Sequence, residues 1–195
     1  MVIAFNAKPA MAAVDPYTSG MTGYDVSHVQ CPGTTPPAGM FGIVGVNNGR
    51  PFTSNACLGT EYSAAPATPS PSFYINAAYS GAYKRYITAG CSSGGTQAWE
   101  IGCSEADYSL RQASGRTASM WWLDVETANS WSTSNLALNQ QAIQGAVDRL
   151  NQTGLPVGVY STTSMWRTIT GGSFTPNNLA ADWVAAGSCS TPFTN

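Results

Sequence analysis

The sequence predicts an α/β fold, a TIM-like β/α barrel that is incomplete at its C-terminus. Three observations carry this. Short apolar runs alternate with helical patterns along the chain, the order that builds a parallel sheet with crossover helices. Six strand candidates are present, whereas a complete eight-stranded barrel takes about 250 residues and this chain has 195. Only ten residues follow the last candidate.

Residues 1–20 read as a leader or the remnant of a clipped export signal. Residues 2–13 are largely apolar and contain Ala10-Met11-Ala12, but Lys8 follows the apolar stretch instead of preceding it. A single domain then covers 21–195. Its first strand is the short Gly23–Val26. Phe41–Val46 (FGIVGV) reads as a buried strand, apolar on both faces. A helix over Asn55–Ala64 follows, and Pro66, Pro69 and Pro71 impose an extended entry into the third strand, Ser72–Ala77. Residues 78–96 form a long Gly/Ser-rich connection, read as a loop over a binding face. A helix over Thr96–Gln112 leads to the fourth strand, Met120–Val125. The helix Ser134–Gln152 is the clearest. Ser132, Thr133 or Ser134 can cap it, Leu138, Ile143, Val147 and Leu150 share a face, and Gly154 with Pro156 ends it. Pro156–Tyr160 and Ala181–Ala185 complete the strands.

Composition narrows the function. Charged residues are only 9% and the net charge is −2, without the clustered basic patch of a nucleic-acid binder. No apolar run approaches the roughly 20 residues of a membrane-spanning helix. Hydrophobic residues at 43%, with six Trp and nine Tyr, supply a core. The five cysteines make no C-x-x-C pair, which argues against a zinc site or a thioredoxin-like motif, and no cofactor is expected. The cysteines fit disulfides in an oxidising compartment, hence a secreted or cell-wall-associated protein, and a monomer is the expectation. Adjacent barrel loops suggest Cys31–Cys57 first and Cys91–Cys103 second, leaving Cys189 over.

The strongest chemical signal is Trp121-Trp122-Leu123-Asp124-Val125-Glu126. Alternate side chains on a strand share a face, so Met120, Trp122, Asp124 and Glu126 point one way and Trp121, Leu123 and Val125 the other. Both acids fall at the C-terminal end of the strand, where barrel active sites lie. Repulsion between them raises the proton affinity of one. An acid beside a carboxylate is what glycoside hydrolysis requires. Glu126, the outermost, is assigned as proton donor. Asp25, at the end of the first strand, can converge on the pair. Asp-x-Glu alone is short, and metal binding, capping or a salt bridge are its alternatives.

Asn76 shares a face with Tyr74 and is placed to bind a sugar amide, or to form a turn. Tyr160 ends the fifth strand as a sugar or carboxylate partner, or as core. Trp183 reads as facing the interior, and Asp182 outward. Trp122, Trp131 and Trp166 are candidate stacking platforms, with core packing the alternative. His28, the single histidine, has no nucleophile motif around it and is read as structural.

Tyr24-Asp25-Val26-Ser27-His28-Val29-Gln30 resembles the first-strand motif of the family-25 glycoside hydrolases, the lysozyme-type muramidases. Leu123-Asp124-Val125-Glu126 is similar to their strand-four Asp-x-Glu, and Val157-Gly158-Val159-Tyr160-Ser161 to their fifth strand. The likeness is to a divergent secreted bacterial branch. It implies cleavage of the β-1,4 bond after N-acetylmuramic acid in peptidoglycan, without metal, with Glu126 as general acid and Asp25 and Asp124 stabilising the transition state. Two departures stand out. Position 29 is Val where an aromatic is typical, and the family's closing strands, one bearing a further active-site Asp, are not found here. The expectation is therefore a glycoside hydrolase acting on the peptidoglycan glycan strand. The alternative is a non-catalytic carbohydrate-binding or cell-surface protein that keeps the barrel.

Overall fold

A computed structural model describes residues 16–33 and 39–185. It contains strands β1 (Gly23–Val26), β2 (Phe41–Gly45), β3 (Ser72–Asn76), β4 (Trp121–Asp124), β5 (Val157–Ser161) and β6 (Ala181–Val184). Between them lie helices α1 (Leu58–Ala64), α2 (Gln97–Gln112), α3 (Leu136–Asn151) and α4 (Thr163–Thr170). All six strands are parallel and lie in sequence order, β1-β2-β3-β4-β5-β6. This order never reverses. Right-handed crossovers then put every helix on one face, and the sheet curls around its other face into a six-stranded half-barrel. The expected fold class holds in this form. The described residues show no closed eight-stranded barrel.

The two faces are chemically distinct. The helix-side core contains Val26, Val44, Phe73, Ile75, Leu123 and Val159 with Ile143, Val147 and Leu150 of α3. Each such side chain stabilises the fold by about 1.5–3 kcal/mol on burial. The interior holds a smaller cluster of Ile43, Met120 and Trp122, with Tyr17, Phe41, Tyr74 and Trp183 packed on it. Tyr17 lies within the stretch read as leader, yet its hydroxyl is 2.5 Å from Ser72 Oγ and accepts from Trp122 Nε1 at 3.0 Å. It floors the barrel interior. Residues 1–15 of that stretch, and Cys189, lie outside the described residues.

Local chemistry sets the ends. Thr96 Oγ1 accepts from the Trp99 N–H and caps α2. Asn135, and not Ser132–Ser134, caps α3 by accepting from the Ala137 N–H at 3.2 Å. Leu138 is only half-buried. Asn139 is buried instead, donating to the Ser132 and Ile169 carbonyls. Helices α2 and α3 cross at glycines: a Cβ on Gly102 would lie 1.8 Å from the Ala142 carbonyl oxygen, and one on Gly145 2.1 Å from that of Trp99. Cys31–Cys57 and Cys91–Cys103 are bonded, as expected. The connection 78–96 carries a 3-10 helix, Gly81–Tyr86. The eight-residue α4 was not anticipated.

Candidate active site

An open cleft of about 940 Å³ lies at the C-terminal ends of the strands. Asp25 of β1, Asn76 of β3, Asp124 of β4, Tyr160 of β5 and Trp183 of β6 all line it, together with Glu126 just past β4. Six of the nine candidates read from the sequence thus meet in one place. Trp122 lies beneath, 4% exposed, with its indole N–H given to Tyr17. It forms floor and leaves no face for a sugar. Trp131 and Trp166 do not line the cleft either, because their indole N–H groups go to the Glu126 and Phe174 carbonyls at 2.8 and 3.1 Å. Asp182 points away from the cleft, as read.

The register explains the convergence. Asn76 is level with Asp124, and Asp124 with Tyr160, across β3-β4-β5. Asn76 Nδ2 donates to Asp124 Oδ2. Asn76 is itself fixed by Asn47, whose Nδ2 donates to the Asn76 carbonyl at 3.0 Å and whose Oδ1 accepts from the Asn76 N–H at 3.2 Å. The Val125 N–H donates to the Tyr160 carbonyl at 2.9 Å. The Glu126 carbonyl then accepts from Trp131 Nε1 and from the Asn129 N–H. Glu126 is therefore held at the rim by its backbone, and its carboxyl is left to the cleft.

Depth distinguishes the acids. Asp25 is exposed, Glu126 half-buried and Asp124 buried at 7% exposure, with Oδ1 lacking a hydrogen-bond partner. Burial, then the charges of Glu126 and Asp25, raise the Asp124 carboxyl from 3.8 to about 8. The raised proton affinity expected of the pair therefore sits on the inner carboxyl. Burial, followed by the carboxylates, also raises the Tyr160 phenol. The Tyr74 phenol is pushed well up by burial, against a hydrogen bond with Ser27. Both phenols stay neutral and able to donate. Among the described residues no group of three or more His, Cys, Asp or Glu is placed to hold a metal ion.

Tyr74, Ser27, Arg50 and Asn129 also line the cleft. Strand alternation with Asn76 would have found Tyr74. Arg50 and Asn129 come from irregular loops, where no period marks them. Val29, the position that departs from the aromatic, is 72% exposed on the rim.

Three comparisons bear on the chain. The sequence model of a family described as Lys-1, lysozyme-like protein 1, matches residues 72–186, more than half of the chain. That span carries Asn76, Asp124, Glu126, Tyr160 and Trp183 but not Asp25. No curated protein matches. Among solved structures, the chain is similar to a crystal structure of the CTP1L endolysin at 13% identity and a TM-score of 0.49, over 74% of this chain and 45% of that one. The chain spans less than half the length of that solved chain.

Proposed function

The chain belongs to the Lys-1 family of lysozyme-like proteins, and from that premise we propose that it is a glycoside hydrolase acting on the glycan strand of bacterial peptidoglycan, as the family-25 muramidases do. The observation that carries the reading is the convergence of Asp25, Asp124 and Glu126 in one open cleft at the strand ends. Near neutrality Asp124 carries a proton, and in the bound complex that proton passes to Glu126. Glu126, at the rim, delivers it to the glycosidic oxygen as the C–O bond breaks. Positive charge developing at the anomeric carbon favours ionised Asp124, with Asn76 steadying its carboxylate and Asp25 adding negative potential. Water then bonds to the anomeric carbon and returns a proton to Glu126. The Tyr160 phenol donates a hydrogen bond, and Trp183, half-buried beside it at 4.7 Å between ring centroids, offers apolar area to a sugar face. The chemistry requires no metal. A secreted or wall-associated location follows from such a substrate and fits the two disulfides.

The test is release of reducing ends from purified peptidoglycan. Wild type is expected to release them, and Glu126→Gln to fall by at least about a hundredfold, the range of a positioned acid catalyst. Equal release by both proteins would remove Glu126 from the chemistry. No release by either would leave a carbohydrate-binding module.

A further inference from the structure

Beside the cleft lies a second cluster that the catalytic reading does not use. Phe52, on the loop after β2, has φ 58. Bulky residues rarely occupy this left-handed region, and such strain gathers at ligand-holding sites. Its ring stacks on Tyr86 at 4.6 Å between centroids and meets Tyr83 and Tyr108 edge-on at 5.5 and 6.1 Å. Tyr86 is 40% exposed. The Arg85 guanidinium lies 4.8 Å from the centre of the Tyr86 ring, and Lys84 beside it is exposed. Arg50, two residues before Phe52, lines the cleft. The whole chain has only eight Lys and Arg, so two on this cluster and a third two residues from Phe52 in sequence are a concentration. None of these three forms an ion pair among the described residues, whereas Arg111 and Arg149 are both spent on Asp107.

The cluster is also anchored. Cys91–Cys103 ties its connection to α2, the Thr88 N–H donates to Ser104 Oγ at 3.0 Å, and the Tyr79 N–H donates to the Ser130 carbonyl at 2.8 Å. A platform fixed before binding loses little entropy on binding.

We propose that this platform is a second binding site for an acidic glycan, whose sugar faces pack on exposed Tyr86 beside half-buried Tyr83 and Tyr108 while its carboxylates or phosphates meet Arg85, Lys84 and Arg50. Arg50 and Thr53, which flank Phe52 in sequence, line the cleft, so one strand can run from the platform to it. Aromatic rings with cations also hold single-stranded nucleic acid, but a chain of net charge −2 lacks the extended basic patch of a nucleic-acid binder. The site is independent of turnover.

The experiment measures affinity by calorimetry in the Glu126→Gln background, which prevents hydrolysis. The probes are neutral chitohexaose, hexagalacturonate, a phosphodiester-linked oligosaccharide and a thymidine oligomer. One acidic oligosaccharide is expected to bind about tenfold tighter than chitohexaose, with affinity falling as salt rises. Which acidic probe wins separates carboxylate from phosphate. Arg85→Gln/Tyr86→Leu is expected to lose about tenfold, the order of one stacked ring with its cation. Should that variant not fold, Lys84→Gln, a change at one exposed side chain, is expected to lose about threefold. Equal affinity for neutral and acidic probes overturns the proposal. So does unchanged binding by a variant of wild-type Tm, or tighter binding of the thymidine oligomer.

Discussion

Asp124→Asn separates what the buried carboxyl does for chemistry from what it does to stability. Asparagine keeps the shape and an oxygen for the Asn76 amide, but it never ionises. In the wild type the Asp124 carboxyl is displaced from 3.8 to about 8 by burial and then by Glu126 and Asp25. The folded chain therefore holds this proton more tightly than the unfolded chain. The resulting stabilisation is present in full below the unfolded value and is lost as pH rises through the folded value. At about 1.4 kcal/mol per pH unit, that displacement sets a ceiling on the order of 5 kcal/mol. Glu105 of α2 is also buried and raised, which adds a slope of the same sign to both proteins. The difference between variant and wild type thus isolates Asp124. Urea unfolding from about pH 4 to pH 9 is the assay. The curves should lie within about 1 kcal/mol of each other at the acid end. By the alkaline end the variant should be more stable by roughly 3–5 kcal/mol, while its release of reducing ends is lost. Parallel stability curves would refute the argument that Asp124 is buried with a proton.

Three further outcomes follow from packing. Gly145→Ala puts a methyl onto the Trp99 carbonyl; it should destabilise by about 1–3 kcal/mol or more through overpacking, read as a lower Tm. Asn76→Ala removes the donor to Asp124 Oδ2. Asp124 should then hold its proton to higher pH, which carboxyl NMR titration would report, and an unmoved titration would discount that hydrogen bond. Replacing Cys91 and Cys103 by alanine opens a loop whose ends are 12 residues apart. This should lower stability by about 3 kcal/mol and raise amide exchange across 81–88; unchanged exchange would show the platform to be held by other contacts.

Much of this architecture was legible because its signals are local. Trp121 and Trp122 fall on opposite faces by strand alternation alone, and the same rule aligned Asp124 with Glu126. Depth was not legible. Whether the inner or the outer acid keeps a proton depends on how far the cleft descends, which no spacing encodes, and the answer was the inner one. Trp122 points inward as read, but lies one layer too low to meet a sugar, because Tyr17 approaches from a segment that reads as leader. Helix α4 (TSMWRTIT) is eight residues rich in β-branched threonine and isoleucine, poor helix formers whose helix is set by packing against α3. Glu105 is hidden for a similar reason: a glutamate on a helix is ordinarily solvent-facing, and this one is buried where it accepts from the Ala78 N–H just past β3 at 3.3 Å.

The tyrosine that floors the barrel also bears on the order of events during synthesis. Tyr17 and the Trp122 indole it satisfies are 105 residues apart. At about 5–20 residues per second, Tyr17 leaves the ribosome some 5–20 seconds before its partner. Through that interval the N-terminal segment has no floor to join, and closing so long a loop comes late in folding. Tyr17, made well before its partner, is thus among the last side chains to be locked in place.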